Sequence, residues 1–573
     1  MPDDGPRSDS PSAQLQELFD DEWEFRLRES PLFATHFGDH RFDDKLPAVS
    51  EADEERRASQ ERTFLERLAG IDRDRLSPDE QLNYGIFKRL EENSVAEHGF
   101  RSYRMPIDKR SGVHVFFPQL PDHVPLRTAD DYAHYVARLS GFKALVEGHL
   151  DLMRMGIEHG QTLPRVVLEG IEDTIQPHIV EDPAESLLFK PFKEFPKTVP
   201  EAERKRLAEA GRAAIADSIV PGYRLLLEFC TGEYIPAARE TIAASALPDG
   251  RAYYEHCVRL FTSLDITPGE VHEIGQGEVA RIRKEMEQTI RDVGFEGGLH
   301  EFFKFLRTDK QFYAVTPDEL LKETAYVLKK MDGELPKLFG RLPRMPYGIR
   351  PVPDYVAPKT TTAYYQPAPG DGSRAGFYYV NTYDLKSRPL YEIEALSLHE
   401  AVPGHHLQLA LQKEIEGVPN FRRFGGFTAF VEGWALYAER LGLESGFFQD
   451  PYRNFGRLIY EMWRACRLVV DTGIHALGWT RQQAIDFMAD NSALTLLNIT
   501  NEVDRYISWP GQALAYKIGE LKVRELRERA ERELGAAFDV RAFHDVLLAN
   551  GALPLDVLEA TVEDWLAERR SMK

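Results

Sequence analysis

Cysteine is scarce in this chain: three residues in 573, at Cys230, Cys257 and Cys466. Three cannot build a disulfide framework, and their spacing suits no zinc–thiolate site, so a reducing compartment is expected. Long apolar runs are missing too. No stretch approaches the roughly 18 apolar residues of a membrane span. Residues 1–13 are polar and rich in Pro, Ser and Asp, without the apolar core of a signal peptide, and read as a flexible tail. The cytoplasm is the expected location and no membrane partner is expected. Positive charge is in deficit, with 71 Lys and Arg against 93 Asp and Glu, a net charge of −22. That argues against a nucleic-acid partner, since phosphate binding needs clustered cations, and is compatible with cationic peptides. Neither a fixed-period repeat nor a Gly/Ser linker is evident.

What is present is helix signal almost throughout. Ser77-Pro78-Asp79-Glu80, Thr267-Pro268-Gly269-Glu270 and Thr316-Pro317-Asp318-Glu319 each combine a capping hydroxyl, Pro at the first helical position and Glu at the third. Thr480 with Gln483 is a fourth start, without the Pro. Segments 14–29 and 527–533 are helical and highly charged and are expected at the surface. Two segments, 360–366 and 376–383, are rich in β-branched and aromatic residues and flank a turn-rich loop at 367–372, which reads as a small antiparallel β unit. Proline-rich connections at 186–200 and 335–371 suggest a helical region over 14–335 and a catalytic region over 336–573. The expected architecture is mainly α, with two helical halves facing a deep channel that admits short peptides.

The chemistry concentrates in His399-Glu400-Ala401-Val402-Pro403-Gly404-His405-His406-Leu407-Gln408. This is a variant of the zinc-hydrolase pattern in which two histidines one helical turn apart bind metal and a Glu works on water. Here the later histidines stand at i+6 and i+7. On an unbroken helix His405 points about 120° from His399, while His406 faces the same way about 10 Å along. Pro403 removes a donor to the His399 carbonyl and crowds it, and Gly404 permits unusual angles. A two-residue bulge there brings His405 to the second ligand position; His405 is favoured and His406 stays open, with a substrate-binding role as its other reading. Glu400 is the natural general base. A third ligand is needed, and Glu432 follows in Phe430-Val431-Glu432-Gly433-Trp434-Ala435-Leu436-Tyr437, with Glu439 two turns on as an outer partner.

These residues carry a resemblance. The run at 399–408, the segment at 430–437, Asp471-Thr472-Gly473-Ile474-His475 and the stretch Tyr506–Gly519 around Trp509-Pro510-Gly511-Gln512 resemble the bacterial domain-of-unknown-function 885 family, sharply over about 360–520. More distantly, the pattern is similar to helical zinc peptidases related to angiotensin-converting enzyme and the oligopeptidases. Those carry a Gly-His pair and then a Glu about 25 residues later on the next helix. The resemblance implies a zincin-like fold with the small β-sheet beside the metal, one Zn2+ per chain, and His399, His405 and Glu432 as ligands. The small β unit is either an edge strand that holds the substrate backbone, as in zinc peptidases, with Tyr379 nearby, or an ordinary hairpin covering the core; in similar enzymes a tyrosine or histidine also stabilises the oxyanion. Tyr506 and Tyr516 are the candidates for that role, while Gln512 and Lys517 are candidates for substrate contact. Arg464, Arg467, Asp471 and His475 form a polar stripe on one helix. It is either a solvated or salt-bridged face, or it makes His475 a catalytic-site histidine with Asp471 orienting it. His36, Asp39, His40, Asp43 and Asp44 read as caps and surface pairs. The expected activity is zinc-dependent hydrolysis of short peptides. The alternatives are hydrolysis of a non-peptide amide, or a non-catalytic binding protein; oligomeric state is not legible.

Overall fold

In the computed structural model the described residues are 10–354, 357–359, 361–370, 372 and 374–571. Thr360 and Asp371, which belong to the expected β unit and its loop, and residues 1–9 of the expected tail lie outside them. Helix makes up 72% of the chain, which places it in the mainly α class.

Packing divides the chain into two compact units. The first comprises residues 1–242 and 246–249, the second residues 243–245 and 250–573. Position 336 therefore lies inside the second unit. In the first unit, α1 (Pro11–Glu29) is capped by the Ser10 hydroxyl, which accepts from the Ala13 N–H, so residues 11–13 are helix rather than tail. Despite its charge, α1 buries Leu15, Leu18, Phe19 and Phe25 along one face and is not a purely surface helix. Helices α2 (Glu51–Ala69) and α3 (Pro78–Phe100) pack as a pair, and α4 (Ala129–Glu158) carries a second pair, α5 (Glu201–Ala214) and α6 (Val220–Phe229). The capping boxes close at Ser77–Glu80, Thr267–Glu270 and Thr480–Gln483. At Thr316 the hydroxyl caps, but the Glu319 carboxylate turns to the Val315 N–H instead of the cap residue.

The second unit opens with α7 (Gly250–Thr262), α8 (Pro268–Asp292) and α9 (Pro317–Leu338). Then come β1 (Tyr347–Pro351), β2 (Ala363–Gln366) and β3 (Gly376–Val380), in the order β1-β3-β2. The antiparallel sheet expected from the sequence is instead mixed: β2 runs antiparallel to β3, but β1 pairs with β3 in parallel, Tyr347 opposite Gly376. Strand β1, Tyr-Gly-Ile-Arg-Pro, was hidden by its Gly348 and Pro351, which an edge strand tolerates. Side chains of β3 alternate, so Tyr378 is fully buried while Tyr379 is half-buried and stacks on Tyr364 at 4.9 Å.

After the sheet come α10 (Ile393–Glu400), α11 (His405–Lys413), α12 (Asn420–Phe424), α13 (Thr428–Leu441), α14 (Pro451–His475), α15 (Arg481–Asn491), α16 (Leu496–Ser508) and α17 (Ala515–Leu534). Two crossings build the core of this unit, α8 on α14 and α13 on α17. Glycine makes the second one close: a Cβ at Gly433 would sit 2.4 Å from the Gly519 Cα. From Phe455 onward α14 is buried along nearly its whole length, its Arg, Asp and Glu residues included. The polar stripe of this helix is therefore an interior ionic seam and not a solvated face.

Candidate functional site

The site is built at a helix break. Helix α10 ends at Glu400, Ala401 leaves helical geometry, the Val402–Pro403 peptide is cis, and α11 starts at His405. Sequence spacing suggested a bulge within one helix; the chain instead makes two helices joined by a tight turn. Gly404 is required there, because a Cβ would lie 1.9 Å from the His399 carbonyl oxygen. The turn is pinned from α13, where the buried Trp434 donates Nε1–H to the Pro403 carbonyl at 2.9 Å.

This turn brings His405 back beside His399, their rings 4.8 Å apart and nearly perpendicular. Glu432, on the first half of α13, points its carboxylate between them: Oε2 lies 3.6 Å from His399 Nε2 and 3.5 Å from His405 Nε2. The three donor atoms fall within 4.8 Å of one another, and this is the one such grouping among the described residues. Tetrahedral zinc with bonds of about 2.0–2.2 Å sets neighbouring donors about 3.3–3.6 Å apart, so the two measured separations suit a zinc ion. Two turns further along α13, Glu439 is buried and accepts from His399 Nδ1 at 2.8 Å. That contact fixes the imidazole with Nε2 toward Glu432.

The electrostatics follow from this packing. Burial alone would pull His399 down, but its hydrogen bonds to Glu432 and Glu439 prevail and raise it to about 9. Burial would likewise raise Glu432, yet the two imidazoles hold it well below the usual carboxylate range. One negative carboxylate between two imidazoles is a donor set suited to a divalent cation. Glu400, adjacent to His399, remains half-exposed. Its charge reaches the buried Tyr378: burial, and then the Glu400 charge, hold that phenol protonated far above the usual tyrosine range.

His406 does not join the donors. Its Nδ1 meets the Tyr365 hydroxyl at 2.8 Å, and burial pushes its pKa down to about 4. It ties α11 to β2, and being 1% exposed it offers no substrate contact. Lys517 is also corrected: fully buried, its ammonium sits 2.9 Å from Glu278, 2.9 Å from Glu461 and 2.8 Å from Glu520, so it is an internal counter-charge. Gln512 is buried and accepts from Arg505 at 2.6 Å. His475 is not a catalytic-site histidine: it is fully buried, Nδ1 accepts from the Ala244 N–H, and Nε2 donates to the Tyr506 carbonyl. Asp471 accepts from the Tyr254 hydroxyl at 2.6 Å and from the Gly511 N–H, and so anchors the Trp-Pro-Gly-Gln turn. The Tyr506 hydroxyl is buried and accepts from Trp463 Nε1 and Arg467 Nε. Tyr516 is half-buried, with the Arg467 guanidinium 4.4 Å over its ring.

Sequence reasoning missed Tyr378, Tyr460 and Glu392, and named Arg464 without its partners. Tyr378 was passed over for Tyr379, although strand alternation says only one of them faces inward. Arg464, 3.7 Å from Glu439 Oε1, lies over the rings of Tyr460 and Trp463. Tyr460 in turn donates to Glu392, whose carboxyl burial pushes up to about 7. Spacing along α14 hinted at Arg464 but not at its partner.

Comparison with known proteins agrees with the fold. A candidate lipoprotein from Colwellia psychrerythraea superposes with a TM-score of 0.92 at 26% identity, over 98% of this chain and 100% of that one. A candidate lipoprotein of unknown function from Shewanella oneidensis superposes at 0.68 with 19% identity, over 96% of this chain and 99% of the other, and shares the fold. No curated protein matches the chain. The family model described as Bacterial protein of unknown function (DUF885) matches residues 31–562, and with nearly the whole chain inside that match, this protein belongs to that family.

Proposed function

We propose that the chain is a zinc-dependent hydrolase of short peptides, with a zincin-like arrangement of helices around a cleft. The observation that carries this reading is the convergence of His399, His405 and Glu432, with Glu439 behind His399 and Glu400 beside it. His399 Nε2, His405 Nε2 and Glu432 would hold one Zn2+ per chain, which when bound supplies Lewis acidity to a water and to the substrate carbonyl. Glu400 takes the proton of the attacking water at its carboxylate and returns it to the leaving nitrogen. Tyr378, buried and close enough to feel the Glu400 charge, keeps its proton. Glu439 orients His399. Of Tyr506 and Tyr516, the half-buried Tyr516 is the candidate oxyanion donor, since Tyr506 is buried with its hydroxyl enclosed by Trp463 and Arg467. The three cysteines, buried and unpaired, suit the cytoplasmic setting this reading assigns.

The test is hydrolysis of a mixed peptide library by wild type and by Glu400→Gln, followed by mass spectrometry. The expected outcome is chelator-sensitive cleavage by wild type and a fall of about 10²–10⁴-fold in Glu400→Gln at unchanged zinc content. Undiminished cleavage by Glu400→Gln would overturn the assignment of the base.

A further inference from the structure

A second polar feature lies along α11, away from the three donors. A cleft of about 120 Å³ is lined by Tyr365, Leu409, Lys413, Arg423, Phe424 and Met345, among others. His405, Leu409 and Lys413 stand at i, i+4 and i+8, so one stripe of α11 leads from the donor cluster into this cleft. Strand β2 accompanies that stripe. The hydroxyl of Tyr365, next to its last residue, meets His406 at the first turn of α11; just beyond the strand's end the Ala368 carbonyl accepts from Lys413 Nζ in the last turn. Residues 365–368 thus touch both ends of α11, through the Tyr365 and Lys413 side chains. Strand β2 has β3 on one side only, and among the described residues no strand pairs with its other edge. An extended peptide laid on that edge would have one end at the donor cluster and the other at the cleft.

The cleft is prepared for an anion. Among the described residues neither Lys413 nor Arg423 has a carboxylate partner, although this is a strongly acidic chain. Arg423 donates Nη2–H to the Lys413 carbonyl, while its Nε–H is buried without a partner. An unpaired buried donor is costly and is satisfied by a ligand that brings an acceptor. The one acid on the wall, Glu414, is already engaged by the backbone N–H groups of Arg344 and Met345 and by Arg344 Nε. Burial, and then the nearby Arg374, lower Lys413 to about 8, so it is still mostly protonated at neutral pH.

We infer that Lys413 and Arg423 bind the terminal carboxylate of a peptide substrate, which makes the chain selective for short peptides with a free C-terminus. This rests on the hydrolase reading above and adds the substrate class. Eight residues of helix separate His405 from Lys413, about 12 Å. An extended chain covers that in about three to four residues at about 3.3–3.6 Å each. Cleavage is therefore expected three or four residues before the C-terminus.

The experiment uses N-acetyl-hexaalanine as the free acid and as the C-terminal amide. With zinc-loaded wild type, kcat/KM for the acid should exceed that for the amide by tenfold or more. In Lys413→Met, and in Lys413→Gln should the Met variant fold poorly, the ratio should fall to about one. The same pair is titrated calorimetrically into Glu400→Gln, where tighter binding of the acid is expected. Cleavage of both peptides at equal rates by wild type, equal binding to Glu400→Gln, or a preference that survives both Lys413 substitutions would overturn the carboxylate site. Preferential binding of the acid to Glu400→Gln, with no cleavage by wild type, would support the carboxylate site while removing the hydrolase reading.

Discussion

Two carboxylates bracket His399, and their surroundings separate their tasks. Glu432 meets Nε2 and is shared with His405; Glu439 meets Nδ1 and is buried against Arg464. The residue types and order of this group were legible, because His-Glu, Gly-His and a later Glu are chemistry that spacing can reveal. The choice between His405 and His406 needed the turn and the Tyr365 contact, which lie outside any local pattern. The same limit explains Lys517 and His475: a polar residue on a helix looks alike whether it meets substrate or an interior partner. Asp471 shows what that interior setting does. Burial foremost pushes its carboxyl up to about 7, against the Tyr254 hydroxyl and the Gly511 N–H. Since the unfolded value is about 3.9, folding takes up a proton at this site. The contribution is fully present below about pH 4 and is lost as pH rises to about 7. Asp471→Asn carries no charge at any pH, so its Tm should gain on that of wild type between pH 4 and 7 and then level off. A Tm difference that does not change with pH would contradict this.

At the scale of elements, the decisive feature is the interruption between α10 and α11. Pro403 and Gly404 announced it in the sequence, and their combination was read as a bulge; the resulting cis turn depends on Trp434 reaching from α13, which spacing cannot show. The cap-Pro-x-Glu starts were legible because every atom they need lies within four residues. Strand β1 was not, since its Gly and Pro are tolerated only through pairing with a strand some 29 residues away in register. Tyr379 was chosen over Tyr378 because composition alone does not set the phase of an alternating strand. Gly404→Ala tests the break. With its Cβ 1.9 Å from the His399 carbonyl oxygen, the turn must open, at a cost of about 1–3 kcal/mol or more. Lower Tm together with weakened metal retention is expected. An alanine variant as stable and as metal-competent as wild type would show that the turn does not set the spacing of the two histidines.

For the molecule as a whole, the mainly α class followed from the density of helix starts, and the family match through residues 31–562 takes in most of both packing units. The division between units at 242–250 was not legible, because no glycine- or serine-rich linker marks it. Among the described residues no helix is long and apolar enough to cross a membrane. The central claim at this scale is that one metal ion belongs to each chain and is held by residues from three helices, α10, α11 and α13. Its most direct test is elemental analysis of purified wild type beside His405→Ala and Glu432→Ala, each checked for folding by circular dichroism. The account predicts about one zinc per folded wild-type chain, lost in both variants. A wild-type chain that takes up no metal even after reconstitution, or variants that keep it in full, would contradict the account.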